Sequence, residues 1–146
     1  TMKKIILFMA IAVSSLSSFA SNPTDVKPEV LNAFQNDFAL AKNVEWVASQ
    51  HYYKAGFVIN EKYLFAYYNE AGKLLGITRH IVADELPINL QLSLKKKYSG
   101  YWISDLFELA KHDNSTYFIT LEDADCTLVL KSSDGKWEVY SKSKKV

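Results

Sequence analysis

Two glycine turns, each flanked by residues that alternate like β-strands, constrain the fold of this 146-residue chain more than any other feature. The segment YLFAYYNEAGKLLG, residues 63–76, turns at Gly72, and CTLVLKSSDGKWEV, residues 126–139, turns at Gly135. Glycine supplies the positive φ that tight turns require, so both segments are predicted to be β-hairpins. Because the second hairpin has the same shape as the first, we expect one structural unit to occur twice.

Each predicted unit begins with a helix. After Pro28, apolar residues recur at helical spacing and predict an amphipathic helix over about residues 28–41. The segment Asp84-Glu85-Leu86-Pro87 is a helix-start signal. It predicts a second helix over about residues 87–98, with Ile88 and Leu92 on its apolar stripe. Alternating patterns predict strands at residues 44–48, 51–60, 63–69, 74–82, 102–111, 116–121, 126–131 and 137–141.

These elements predict an α+β fold with a single domain over residues 28–146, made of two repeats at about 28–83 and 84–146. Each repeat is a helix plus a four-stranded antiparallel meander, and the two helices pack on one face of an approximately eight-stranded sheet. Two short helices cover only one face of such a sheet, so its other face contacts water or a partner. The pattern does not assign which face is open.

The N-terminus has the pattern of an export signal. Lys3 and Lys4 precede an apolar run over residues 5–13, and Ser18-Phe19-Ala20 fits signal peptidase, so we predict a signal peptide at 1–20, cleaved after Ala20. The run is much shorter than the roughly 20 apolar residues that span a bilayer, so no membrane anchor is expected after cleavage. Residues 21–27 are expected to be a flexible leader. The predicted location is periplasmic or secreted.

Residue types that carry catalysis or metal binding are sparse and scattered. The chain has 17 Lys and Arg against 16 Asp and Glu, and near neutrality argues against a nucleic-acid partner. Cys126 is the single cysteine and is predicted to be a buried strand residue, so no intramolecular disulfide is possible. The three histidines, His51, His80 and His112, have no ligand spacing. The acidic turn Glu122–Asp125 lacks the glycine of an EF-hand loop, and we favour a solvated turn over a cation site.

No nucleophile elbow and no phosphate-binding glycine loop occurs in the sequence. We therefore expect no enzyme activity and no cofactor.

Aromatic residues exceed what one buried sheet face needs. The surplus predicts an open sheet face on which Tyr and Trp supply contact area at low rotamer cost. The alternative is that the sheet curls and shields these rings. Eight candidate residues are assigned to the open binding face: Trp46, Tyr52, Lys54, Tyr68, Arg79, His80, Tyr101 and Trp102.

Three segments carry a family resemblance: ALAKNVEW, FAYYNEAGKLLGITRHI and ELPINLQLSLKKKYSGYWISDL. Together they resemble the PepSY-like, β-lactamase-inhibitor-like family of small exported bacterial proteins, over nearly the whole mature chain. The resemblance implies a fold similar to the β-lactamase inhibitor protein, a periplasmic location and no catalytic residues. Related PepSY domains are thought to restrain exported peptidases, which implies an inhibitory binder. One cysteine cannot form the disulfides of the β-lactamase inhibitor protein, so similarity of fold does not imply inhibition of β-lactamase.

The expected function is that of a non-catalytic exported binding protein. It would bind or inhibit another envelope or secreted protein through the open sheet face, and its partner would be an unidentified protein or peptide of the cell envelope. The alternative is a periplasmic carrier or sensor of a small ligand.

Overall fold

The computed structural model describes residues 25–146 of the chain. The elements are α1 (Pro28–Asp37), β1 (Lys42–Ala48), β2 (Tyr53–Ile59), β3 (Lys62–Tyr68), β4 (Leu74–His80), a 3-10 turn (Ala83–Glu85), α2 (Ile88–Lys97), β5 (Trp102–Lys111), β6 (Asn114–Glu122), β7 (Cys126–Ser132) and β8 (Glu138–Lys144). The strands form one eight-stranded antiparallel sheet in chain order, from β1 to β8. The predicted α+β fold, with a helix and then four strands occurring twice, is confirmed.

The predicted signal peptide, its cleavage after Ala20 and leader residues 21–24 lie outside the described residues. The rest of the predicted flexible leader is partly wrong, because Val26 is 4% exposed and packs in the core beside α1. No helix in the described part of the chain is long and apolar enough to cross a membrane.

Helix α1 ends earlier than the predicted residue 41. Its last turn is closed at Phe38, whose amide donates to the Phe34 carbonyl at 2.8 Å while its backbone leaves the helical region at φ −134°. Phe38 also packs against Phe57 of β2, with ring centroids 4.7 Å apart, so tertiary contact outweighs continued helix formation there.

Helix α2 matches its predicted bounds within a residue, but the prediction of its apolar stripe is partly wrong. Leu90 is fully buried, and Leu94 and Tyr98 pack beside it. Ile88 and Leu92 are 67% and 52% exposed, because they lie on the side of the helix opposite Leu90.

The two hairpin turns have the predicted glycine conformation, and each contacts the second residue of a helix. Gly72 has φ +78° and Gly135 has φ +85°. A Cβ built on Gly72 would lie 2.7 Å from the Glu29 carbonyl oxygen in α1. At the equivalent place in the second half, Asn89 Nδ2 of α2 donates to the Gly135 carbonyl at 2.6 Å. Each helix is thus held against the tip of its own hairpin.

Both helices lie on the same face of the sheet. Phe34 of α1 packs in a first core cluster, and Leu90 of α2 packs in a second, which together fill the space between helices and strands. Ile77 of β4 pairs directly with both Ala66 of the first cluster and Ala110 of β5. Since directly paired residues project to the same side, the helix-covered side is continuous across the centre of the sheet.

Candidate binding face

The face of the sheet opposite both helices carries a row of rings that runs from β3 to the edge strand β8. We call this side the uncovered face, because both described helices pack on the other one, and we call its rings the ring row. The ring row runs in the order Tyr63, Phe65, His80, Phe107, Phe118 and Tyr140, with successive ring centroids 5.0, 6.5, 6.4, 5.1 and 5.8 Å apart. These residues come from β3, β4, β5, β6 and β8.

A two-residue turn sets which rings of β3 face this side. Asn60 and Glu61 both have positive φ, at 49° and 63°, as a tight hairpin turn of the mirror-image type requires. The turn pairs Tyr53 with Tyr68 and Gly56 with Phe65. Since the side chain of Tyr53 points to the helices, Tyr68 does so too, and Phe65 projects from the uncovered face.

The ring row is buried in its middle and accessible at its end on β3. Phe107 and Phe118 stack with an interplanar angle of 15° and are only 7% and 2% exposed. Tyr63 is 46% exposed, and Trp102, at the start of β5 on the same face, is 53% exposed. The expectation that the sheet shields its own rings therefore holds for the middle of the row and fails at its margins.

Four of the eight predicted site residues lie on the uncovered face. The Tyr52 ring lies 5.8 Å from the Tyr67 ring, and Lys54 Nζ lies 4.2 Å from the centre of the Phe65 ring. His80 Nδ1 is 3.1 Å from Asp105 Oδ1. Trp102 lies under Lys145, whose Nζ is 4.7 Å from the ring centre.

Trp46 and Tyr68 are wrong as members of an open face. Both pack under α1 against Phe34 and are 5% and 0% exposed. The Tyr68 hydroxyl donates to Asp37 Oδ2 at 2.8 Å, and burial together with this bond raises the pKa of Tyr68 far above its usual value. Their rings form part of the core and are not surplus to it.

Arg79 and Tyr101 are also on the helix-covered side. Arg79 Nε donates to Glu108 Oε2 at 2.7 Å and Nη1 to Glu85 Oε1 at 3.3 Å, so its guanidinium joins β4, β5 and the 3-10 turn. Tyr101 packs against the second core cluster, with its hydroxyl 3.8 Å from Cys126 Sγ. Neither side chain is free to contact a partner on the uncovered face.

Sequence reasoning missed several rings of the uncovered face: Tyr63, Phe65, Tyr67, Phe107, Phe118 and Tyr140. For β3 the signal was present, since a two-residue turn after Ile59 forces Tyr53 and Tyr68 onto one side. For Tyr140 there was none. A register shift between Val129 and Leu130 of β7 interrupts the alternation of β8.

Two carboxylates of the acidic turn Glu122–Asp125 are paired within the protein. Glu122 Oε2 lies 2.7 Å from Lys145 Nζ, and this contact lowers the pKa of Glu122. Asp123 Oδ1 accepts from the backbone N–H groups of Asp125 and Cys126, at 2.8 and 2.7 Å, and these bonds lower its pKa. Within residues 25–146, no group of three or more His, Cys, Asp or Glu side chains is placed to hold a metal ion.

Tyr67, beside Lys54 on the uncovered face, is expected to make the folded state less stable as the pH rises above about 10. It is 2% exposed, and burial raises its pKa to about 12 despite a hydrogen bond with Thr78. An unfolded phenol ionises near pH 10, so the contribution of Tyr67 to stability is complete below pH 10 and is lost as the pH rises towards 12. We expect this loss to reach about 2–3 kcal/mol, and Tyr67→Phe to remove it.

The measurement is the free energy of unfolding by urea between pH 8 and pH 12. Tyr67→Phe should show a shallower decline than the wild type, even if it is less stable at pH 8. Thr78→Val is the control, because it keeps the phenol and should keep the decline. Equal slopes for wild type and Tyr67→Phe would contradict this reading.

An eight-stranded antiparallel sheet with two helices on one face defines a β-lactamase-inhibitor-protein-like (BLIP-like) fold, and this chain has that fold. A BLIP-like protein from Bacteroides fragilis matches with a TM-score of 0.68 at 14% identity, covering 82% of this chain and 86% of that one. A DUF2874 family protein from Bacteroides uniformis matches with a TM-score of 0.71 at 15% identity, covering 82% and 89%.

A "putative periplasmic" protein from Bacteroides eggerthii matches with a TM-score of 0.71 at 14% identity, covering 82% of this chain and 88% of that one. No protein-family model and no curated protein matches the sequence. The likeness extends to the fold, and the PepSY part of the predicted resemblance remains a prediction.

Proposed function

We propose that this protein is a non-catalytic binding protein of the periplasm, and that it holds a protein partner of the cell envelope against the uncovered face. The ring row is the observation that carries this proposal. It places large rigid rings on a face that neither described helix covers. Tyr and Trp, together with Arg, are enriched among the residues that dominate binding energy at protein interfaces.

In this proposal the buried and the exposed rings of the face have different roles in binding. The stacked pair Phe107 and Phe118 is already buried and gives the face a stiff floor. Tyr63, at the β3 end of the ring row, and Trp102, at the start of β5, keep about half of their surface for contact. A pre-organised aromatic surface loses little conformational entropy on association, and its partner would be blocked by occlusion rather than by chemistry.

The location and the class of partner draw on two further supports. The N-terminal export pattern supports a location outside the cytoplasm for the mature chain. The structural neighbour from Bacteroides eggerthii carries a periplasmic description, and the one from Bacteroides fragilis is described as BLIP-like. The BLIP-like description of the Bacteroides fragilis protein is the support for an inhibitory role of this chain.

A second candidate function is small-ligand carriage, and one cleft favours it. The cleft has a volume of about 280 Å³ and lies between α2 and β5, where Leu94, Tyr98 and Ile103 give it a mainly apolar lining. It lies on the helix-covered side, apart from the ring row. Native mass spectrometry of protein purified from its own cells would reveal a co-purifying small mass if this function holds.

Photo-crosslinking in the native cells tests the proposed function. We would place p-benzoylphenylalanine at position 63 or 102, on the uncovered face, or at position 92 on the outer side of α2. These three positions have similar exposure, 46%, 53% and 52% in the wild type, so accessibility alone cannot separate them. We expect one discrete protein adduct from positions 63 and 102 and none from 92. Equal adducts at all three, or an adduct only at 92, would contradict the proposal.

A further inference from the structure

Lys54 is the second residue of β2 and lies on the uncovered face, where its side chain is partly buried. It lies directly across from Tyr67 in β3, and its Nζ is 4.2 Å from the centre of the Phe65 ring. Among residues 25–146, Lys54 has no carboxylate within ion-pair distance. Lys145, on the same face, is by contrast paired with Glu122 at 2.7 Å.

The surrounding rings replace only part of the hydration that the Lys54 ammonium group loses on partial burial. Lys54 has three N–H donors, and the face of a ring attracts a cation without accepting a strong hydrogen bond from each of them. Partial burial removes water from the group and lowers the pKa of Lys54. A desolvated cation gains most from an anionic acceptor that enters the same site.

We infer that Lys54 is the anchor for a carboxylate of the partner, an Asp or Glu side chain that enters between the rings of Tyr52 and Phe65. The inference deepens the proposed function and rests on it. It commits to an acidic segment of a protein as the occupant of this part of the face.

A carboxylate fits this place better than a phosphate group. Lys54 is a single cation, and phosphate is held by clusters of arginine or by several backbone N–H groups together. The neighbours of Lys54 are rings: Phe65 lies under its Nζ, Tyr67 is its partner across the β2–β3 pair, and the ring of Tyr52 packs against Tyr67. A single ammonium group surrounded by aromatic rings is complementary to a single Asp or Glu side chain with apolar neighbours.

Two synthetic peptides test the inference directly. Acetyl-Tyr-Glu-Tyr-amide and acetyl-Tyr-Gln-Tyr-amide differ only in the carboxylate, and binding is followed by NMR of the lysine Nζ groups of the full mature chain. We expect the Glu peptide to bind at least about tenfold more tightly than the Gln peptide, with the largest shift at Lys54. Lys54→Met should abolish this preference. Lys131→Met, which removes a cation from the same face on β7, should preserve it.

Several outcomes would overturn the inference. These are equal binding of the two peptides, no binding of the Glu peptide at 10 mM, or a preference that survives Lys54→Met. Displacement of the Glu peptide by inorganic phosphate at lower concentration than by acetate would also overturn it. Lys54→Met should not lower the melting temperature, so loss of the preference cannot be assigned to unfolding.

The inference and the proposed function fail separately. If the crosslinked adduct at position 63 persists unchanged in Lys54→Met, the face binds its partner without this carboxylate. If no adduct forms but the peptide preference depends on Lys54, the site recognises a small acidic ligand, and the proposed protein partner is wrong.

Discussion

Replacing Trp46 with alanine is expected to destabilise the fold by about 3–5 kcal/mol, whereas the same change at Trp102 should cost less than about 1 kcal/mol. Trp46 is 5% exposed, and its ring meets Phe34 of α1 edge-on at 5.1 Å and Tyr68 at 6.5 Å. Truncation leaves a cavity between α1 and the sheet that these rigid rings cannot fill. Trp102 is 53% exposed and loses mainly its contact with Lys145.

The measurement is thermal and urea unfolding of both variants beside the wild type. For a domain of this size we expect the melting temperature of Trp46→Ala to fall by roughly 10–20 °C. Trp102→Ala should stay within a few degrees of the wild type and should lose partner binding instead. A large loss of stability in Trp102→Ala, with little in Trp46→Ala, would show that the two faces have been exchanged.

The contrast between these two tryptophans shows how far the sequence alone could lead. Alternation and the glycine turns were enough to predict two helices, eight strands and their order along the chain. They were not enough to decide which face of the sheet Trp46 lies on, because both alternating sets of residues in β1 contain apolar side chains. Only the packing of Phe34 against Trp46 and Phe57 decides which side is core.

The candidate site was predictable only in part, and the reason is geometric. Lys54 was predicted to lie opposite the apolar residues of β2, and the structure has it there because it alternates with them. Arg79 was assigned to the wrong face because it is charged, although its position in β4 predicted the helix-covered side. It alternates in step with Ile77 on the helix-covered side, and Glu108 satisfies its charge there. The ring row as a whole depends on register across six strands, from β3 to β8, and a β-bulge such as the one opposite Val129 and Leu130 changes register without a clear sequence signal.

Substituting alanine for Gly72 is expected to destabilise the protein by roughly 2–3 kcal/mol, through two separate effects. The first is conformational, since φ +78° is a region that alanine adopts only with strain. The second is steric. The new Cβ would lie 2.7 Å from the Glu29 carbonyl oxygen and 3.4 Å from Ala33 Cβ, so the first turn of α1 must move away from the hairpin. Since that turn carries Val30 into the first core cluster, the movement also loosens the core.

Gly100→Ala is the matched control, because a Cβ at Gly100 would have no atom within 4 Å. Urea unfolding should place Gly100→Ala within about 0.5 kcal/mol of the wild type while Gly72→Ala loses several times that amount. Hydrogen exchange should separate the two effects in Gly72→Ala. Strain confined to the turn would raise exchange only near Asn69, whereas a displaced helix would also raise it at the amides of Val30 and Leu31, which bond to the Lys27 carbonyl. We expect the second pattern, and unchanged protection in α1 would show that the hairpin tip does not hold the helix.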